Sequence, residues 1–117
     1  DIKNAFNKLI GKVDLIYIPQ DNTVVSALAS MVSMSRANKI PLIANDPTLV
    51  EQGVMMAFGT NYFRSGEQLG NMIADLIDGK KLEKNIQNTN IKELKVNDAV
   101  LKQLGIVIPE NIKLGEN

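Results

Sequence analysis

The side chains best placed to do chemistry fall in three short polar runs. They are Gln20, Asp21, Asn22 and Thr23; Asn45 and Asp46; and Thr60, Asn61 and Tyr62. Each run follows a short apolar stretch and precedes a segment with helical features. Amides, carboxylates and hydroxyls of this kind suit hydrogen bonding to a small polar molecule. The chain has no His, which removes the commonest general base and the commonest metal ligand. It has no Cys, which excludes disulfides, thiol catalysis and thiolate metal sites. Neither a GxGxxG nor a Gly-x4-Gly-Lys phosphate loop is present. Hydrolase chemistry would have to rest on carboxylates or Lys, and the expectation is no enzyme, no cofactor and no metal.

The same residue types are also good helix caps. Asp46 before Pro47 is an N-cap followed by Pro at the first helical position, and Thr48 with Glu51 has capping-box spacing. Asp21, Asn22 and Thr23 can all cap, but a single helix start uses one of them. A capping carboxylate still has an oxygen to offer a ligand. Asp21 and Asp46 therefore do not read as a glycosidase acid pair, since both have capping work.

The 117 residues carry 13 basic and 13 acidic side chains, so the formal net charge is zero. Lys80 and Lys81 are the only adjacent basic pair. That balance argues against nucleic acid as a partner and against an anionic membrane surface. No run approaches the roughly 20 apolar residues of a membrane span. Met31, Met34, Met55 and Met56 read as core filling.

The elements that position the polar runs alternate. Ile2, Ala5, Phe6, Leu9 and Ile10 share a helical face that stops at Gly11. Residues 13–18 form an apolar run read as a buried strand. Residues 23–37 read as one helix, uncharged until Arg36, which predicts cover on more than one side. A strand over 41–44, a short helix ended by Gly53 and a strand over 54–58 follow. Leu69, Met72, Ile73, Leu76 and Ile77 mark an amphipathic helix over 63–78 with Gly79 as its stop. After a polar stretch come a candidate strand over 91–96, a helix over 98–104 capped by Asn97, and an apolar run over 106–108 leading into a polar tail. This alternation predicts an α/β, three-layer Rossmann-like fold on a parallel sheet. Ligands of such sheets sit beyond the carboxyl ends of the strands, and right-handed crossovers place all three polar runs on that one edge.

The stretches VDLIYIPQDNTVVSAL, KIPLIANDPTLVEQGVMMAFGTNYFRSGEQLGNMIADLIDGKK and LKVNDAVLKQLGIVIPENI resemble the C-terminal part of substrate-binding proteins of ABC importers. The resemblance is to the group related to tryptophan- and tyrosine-type amino-acid binders, and it spans about residues 10–112. It implies a type I periplasmic-binding-protein fold, in which two α/β lobes close by hinge motion over a small ligand. The filled protein would then be presented, outside the cytoplasm, to a membrane permease. On this pattern Gln20, Asp21, Asn22, Thr23 and Asp46 line one cleft wall, and Asn61 and Tyr62 lie where the chain crosses between lobes. Asp46 would accept from a ligand ammonium or hydroxyl. Asn22 and Thr23, with helix N-terminal amides, would hold a carboxylate. Gln20 and Asn45 depart from the family's pattern.

A two-lobe binder needs about 100–150 residues per lobe, so this chain corresponds to the second half. About 1–58 and 91–117 would belong to the C-terminal lobe, and about 60–80 to the crossover and a helix of the other lobe. The stripe on 63–78 would then be uncovered and favour self-association. The rival reading is the effector-binding core of a lactose-repressor-like regulator, which shares the fold and would need a DNA-reading helix-turn-helix ahead of Asp1. A receiver-like switch lacks its acidic pair and late Lys at the strand ends.

Overall fold

A computed structural model describes residues 1–84, 86–89, 91–109 and 112. In chain order the elements are α1 (Ile2–Leu9), β1 (Ile16–Ile18), α2 (Asn22–Ser26), α3 (Leu28–Asn38), β2 (Leu42–Ala44), a 3-10 helix (Pro47–Gln52), β3 (Met56–Thr60), α4 (Tyr62–Ile77), β4 (Lys92–Val96) and α5 (Asp98–Leu104). The polar tail expected beyond the 106–108 run lies, apart from Ile112, outside the described residues.

The four strands form one sheet in the order β1-β2-β3-β4. β1, β2 and β3 run parallel. β4 pairs antiparallel with β3, from Met56 opposite Val96 to Thr60 opposite Lys92. The α/β fold and its mostly parallel sheet match the sequence expectation. The reversed fourth strand is the departure from an all-parallel sheet.

Alternation along the strands divides the apolar residues between two faces. Ile16, Ile18, Leu42, Ala44 and Ala57 join Phe6, Leu28, Met31, Val32, Leu49 and Val50 in one core. Ile43 and Met56 turn the other way and pack with Met55, Val100 and Leu101 in a second, smaller core under α5. This second layer does not reach β1, whose Tyr17 is exposed between buried Ile16 and Ile18. The expected fully buried strand is therefore covered on one face only.

The expected helix over 23–37 is two helices. Ala27 has φ −96° and ψ 5° and separates them. The Ser26 hydroxyl donates to the Thr23 carbonyl at 2.8 Å, and the Ala27 amide donates to Val24 at 3.0 Å. These bonds tighten the last turn of α2 and end it. α3 buries Leu28, Met31, Val32 and Ser35, which is one helical face. Its other side presents Ala29, Ser30 and Ser33 to solvent. Low charge there reflects small residues, and the expected cover on several sides is not found.

α4 buries none of its 16 residues. Its expected stripe is in place, yet Leu69, Ile73, Leu76 and Ile77 are exposed. The chain is elongated, with extents of 59 × 37 × 19 Å and a radius of gyration of 18.0 Å. A compact domain of about 100 residues has a radius nearer 13 Å.

Candidate functional site

Because β1, β2 and β3 are parallel neighbours, the residues after Ile18, Ala44 and Thr60 meet on one edge of the sheet. The three polar runs are thereby brought together. Each starts a helix, and each helix start is closed by a side chain from its run. Asp21 Oδ1 accepts from the amides of Thr23 at 2.9 Å and Val24 at 3.1 Å. Asp46 Oδ1 accepts from the Thr48 amide at 3.0 Å and the Thr48 hydroxyl at 2.7 Å. Asn61 Oδ1 accepts from the Arg64 amide at 2.9 Å. Asp46 before Pro47 caps as the sequence predicts, but the helix it opens is 3-10.

One glycine lets these segments approach. A Cβ on Gly59 would lie 2.8 Å from the Asn45 carbonyl carbon and 2.9 Å from Pro47 Cδ. The turn after β2 thus lies directly on the backbone of β3, where only Gly fits.

Asn22 and Thr23 are exposed at the start of α2. The carboxylate seat implied by the resemblance changes in detail. The Thr23 and Val24 amides that would form it are already taken by Asp21, whose charge also opposes an anion. Asn61 is engaged on both ends of its amide, since its Nδ2 donates to Glu93 Oε2 at 3.1 Å. Its own amide donates to Ile91 at 3.0 Å, so it ties the start of α4 to the start of β4. Gln20 Nε2 donates to the Tyr62 hydroxyl at 2.8 Å. This bond joins the loops after β1 and β3, which flank β2 in the sheet.

Sequence reasoning missed two charged residues at this edge. Lys92 Nζ donates to Thr60 Oγ1 at 3.1 Å, and Glu93 holds Asn61. Both open β4 and reach the edge only because that strand runs backwards. Nothing in their spacing, 32 residues from their partners, signals it. Two open grooves, of about 580 and 400 Å³, lie elsewhere, between α4 and residues such as Leu82, Glu83 and Gln87 that follow it. Gln68, Met72 and Gln87 line both, and no residue of the three polar runs lines either.

These features match known proteins along nearly the whole chain. The family described as ABC transporter substrate binding protein matches residues 1–115. A tyrosine-binding protein of Clostridioides difficile (strain R20291) is 28% identical over 116 residues, 97% of this chain and 34% of the relative. The chain thus spans about a third of that curated relative's length. Among solved structures, the ligand-free, open form of a Clostridium difficile substrate-binding protein with adhesive properties superposes with a TM-score of 0.78 at 30% identity. That match covers 97% of this chain and 39% of the other. A conserved domain protein from Vibrio cholerae gives 0.73 at 32% identity, covering 94% and 38%. An ABC domain in complex with L-Trp from Streptococcus pneumonia gives 0.74 at 27% identity, covering 95% and 39%. With an α/β sheet, a polar edge at its parallel strand ends and a family match over residues 1–115, this chain belongs to the ABC transporter substrate-binding protein family.

Proposed function

We propose that this chain forms one side of the ligand cleft of an extracytoplasmic solute receptor. The receptor captures a free amino acid and delivers it to an ABC permease in the membrane. The observation that carries the reading is the convergence of Gln20, Asp21, Asn22, Thr23, Asp46, Asn61 and Tyr62 at one edge of three parallel strands. Asp21 and Asp46 supply negative charge for a ligand ammonium, and each keeps one carboxylate oxygen beyond its capping bonds. The relatives named for tyrosine and bound to L-Trp favour an aromatic side chain. The groups at this edge bind and orient; the proposal assigns them no bond-breaking step.

The chain's short coverage of its relatives supports a two-lobe division. Residues 1–58 and 91–117 belong to one lobe. Residues 60–80 cross over and give α4 to the other lobe, which covers its apolar stripe. Without that lobe, the stripe makes this chain self-associate. Light scattering behind size exclusion then reads more than one copy for the chain alone and one for the intact protein. For the ligand, thermal shift of the intact protein against the twenty L-amino acids is the test. A rise in Tm with L-tyrosine or L-tryptophan is expected, growing with concentration as binding to the native state requires. No shift with any amino acid would overturn the reading.

A further inference from the structure

The direction of the Gln20–Tyr62 hydrogen bond assigns a role that residue types alone do not. A phenol hydroxyl both donates and accepts. Here its oxygen accepts from Gln20 Nε2, so its own proton is free to point elsewhere. Among the described residues the Tyr62 hydroxyl donates to no protein group. Accepting a bond also polarises the O–H and makes it a stronger donor. Tyr62 is held in place from behind, because it is the first residue of α4 and Asn61 caps that helix. No acidic residue occupies the first turn of α4, where the helix N-terminus adds positive potential; the Glu93 carboxylate beside its cap accepts from Asn61 Nδ2, and the Lys92 ammonium lies next to it on Thr60. At the start of α2 the capping group is itself a carboxylate, Asp21, whereas at the start of α4 it is the neutral amide of Asn61.

We propose that Tyr62 donates its hydroxyl proton to the ligand's carboxylate and that Gln20 is the positioning residue that fixes it as a donor. The inference rests on the amino-acid reading above and divides the ligand's two charges between the chain's polar runs. The ammonium goes to the Asp21 and Asp46 side, and the carboxylate to the start of α4. Gln20, in the loop after β1, bonds the phenol of Tyr62, which follows β3, so the two strands that flank β2 are joined by this pair.

The experiment measures Kd in the intact protein for L-tryptophan with tryptamine and for L-tyrosine with tyramine, each pair differing by the carboxylate. Wild type should prefer the amino acid. Tyr62→Phe keeps the ring and removes the proton, and should weaken the amino acid by about 10- to 100-fold, as a hydrogen bond to a charged group does. The amine should be nearly unaffected. Gln20→Ala should reduce the same preference by a smaller factor, and Gln20→Ala with Tyr62→Phe should be no worse than Tyr62→Phe alone. Gln20→Glu should lose more than Gln20→Ala, because a carboxylate accepts only and claims the phenol proton for itself. Equal losses for amino acid and amine, or additive losses in the double variant, overturn the proposal while leaving the amino-acid reading intact. No binding of either amino acid to wild type overturns both. Since Gln20 and Tyr62 are exposed, their variants should keep the wild-type Tm; a variant that unfolds is replaced by Gln20→Leu.

Discussion

Phe6 and Phe63 sit on helices of similar amphipathic design and have opposite fates. Phe6 lies on α1, is 2% exposed and packs into the core beneath β1 and α3. Phe63 lies on α4 and is 76% exposed. Both helices have a side-chain N-cap, Asp1 and Asn61 respectively. The difference is not local. α1 precedes a strand whose inner face needs cover, and it supplies that cover. α4 leaves the sheet at Thr60 and the chain returns only at Lys92, so its stripe meets no part of this chain's core. Amphipathic pattern predicts that a helix has a burying face, and topology decides whether a surface is there to bury it.

The largest expected effect separates those two phenylalanines. Phe6→Ala should cost about 3–5 kcal/mol of unfolding free energy, the range for emptying an aromatic site in a packed core. Phe63→Ala in the same chain should stay within about 0.5 kcal/mol, as exposed substitutions do. Urea unfolding of the two variants reads the contrast directly, and equal losses would mean that α4 is packed after all. Next comes Gly59→Ala. The new methyl group meets the Asn45 turn and Pro47, and overpacking of this kind costs about 1–3 kcal/mol. It should also weaken ligand binding, because the turn that must move carries Asp46. Unfolding and binding curves of the one variant test both statements.

The legible parts of the fold were those written in nearby residues. Asp46 before Pro47, Asn97 before α5 and the Gly at 53, 79 and 105 mark ends that the structure confirms. The meeting of three polar runs on one edge followed from alternation and the rules of parallel sheets. What was not legible depends on distant partners. The direction of β4 is not encoded in Lys-Glu-Leu-Lys-Val, because an edge strand with half-buried residues accepts either orientation. The pairing of Gln20 with Tyr62 spans 42 residues and joins two side chains whose local roles were a turn and a helix start. The break at Ala27 turns on a hydroxyl of Ser26 bonding back to Thr23, which competes with helix propagation no more visibly than many serines do.

A smaller effect compares the cap at Asp46 with the ligand role. Asp46→Ala removes the acceptor of both Thr48 bonds and should cost about 1 kcal/mol, the usual loss for a helix cap. Asp46→Asn keeps a capping oxygen and removes the charge, so it should retain most of that stability. If Asp46 also meets the ligand ammonium, Asn should still lose affinity. Stability recovered with affinity lost assigns both roles to Asp46, whereas recovery of both leaves it a cap alone. Calorimetric titration beside a melting curve separates these outcomes.

The smallest effect returns to α4. Gly66 lies inside the helix, and a Cβ there meets nothing within 4 Å. In this chain alone Gly66→Ala should therefore stabilise by about 0.5–1 kcal/mol, because Ala loses less backbone freedom than Gly in a helix. The intact protein supplies the sharper half of the comparison. If a second lobe covers the stripe that includes Leu69 and Ile73, Gly66 lies about one turn before Leu69 and two before Ile73, on the approached side. The added methyl then crowds the covering surface, and the gain shrinks or becomes a loss. A gain of the same size in both contexts would mean that α4 stays bare at this turn, and the proposed division at residues 60–80 would have to be redrawn. Melting curves of the single variant, with and without the rest of the protein, decide it.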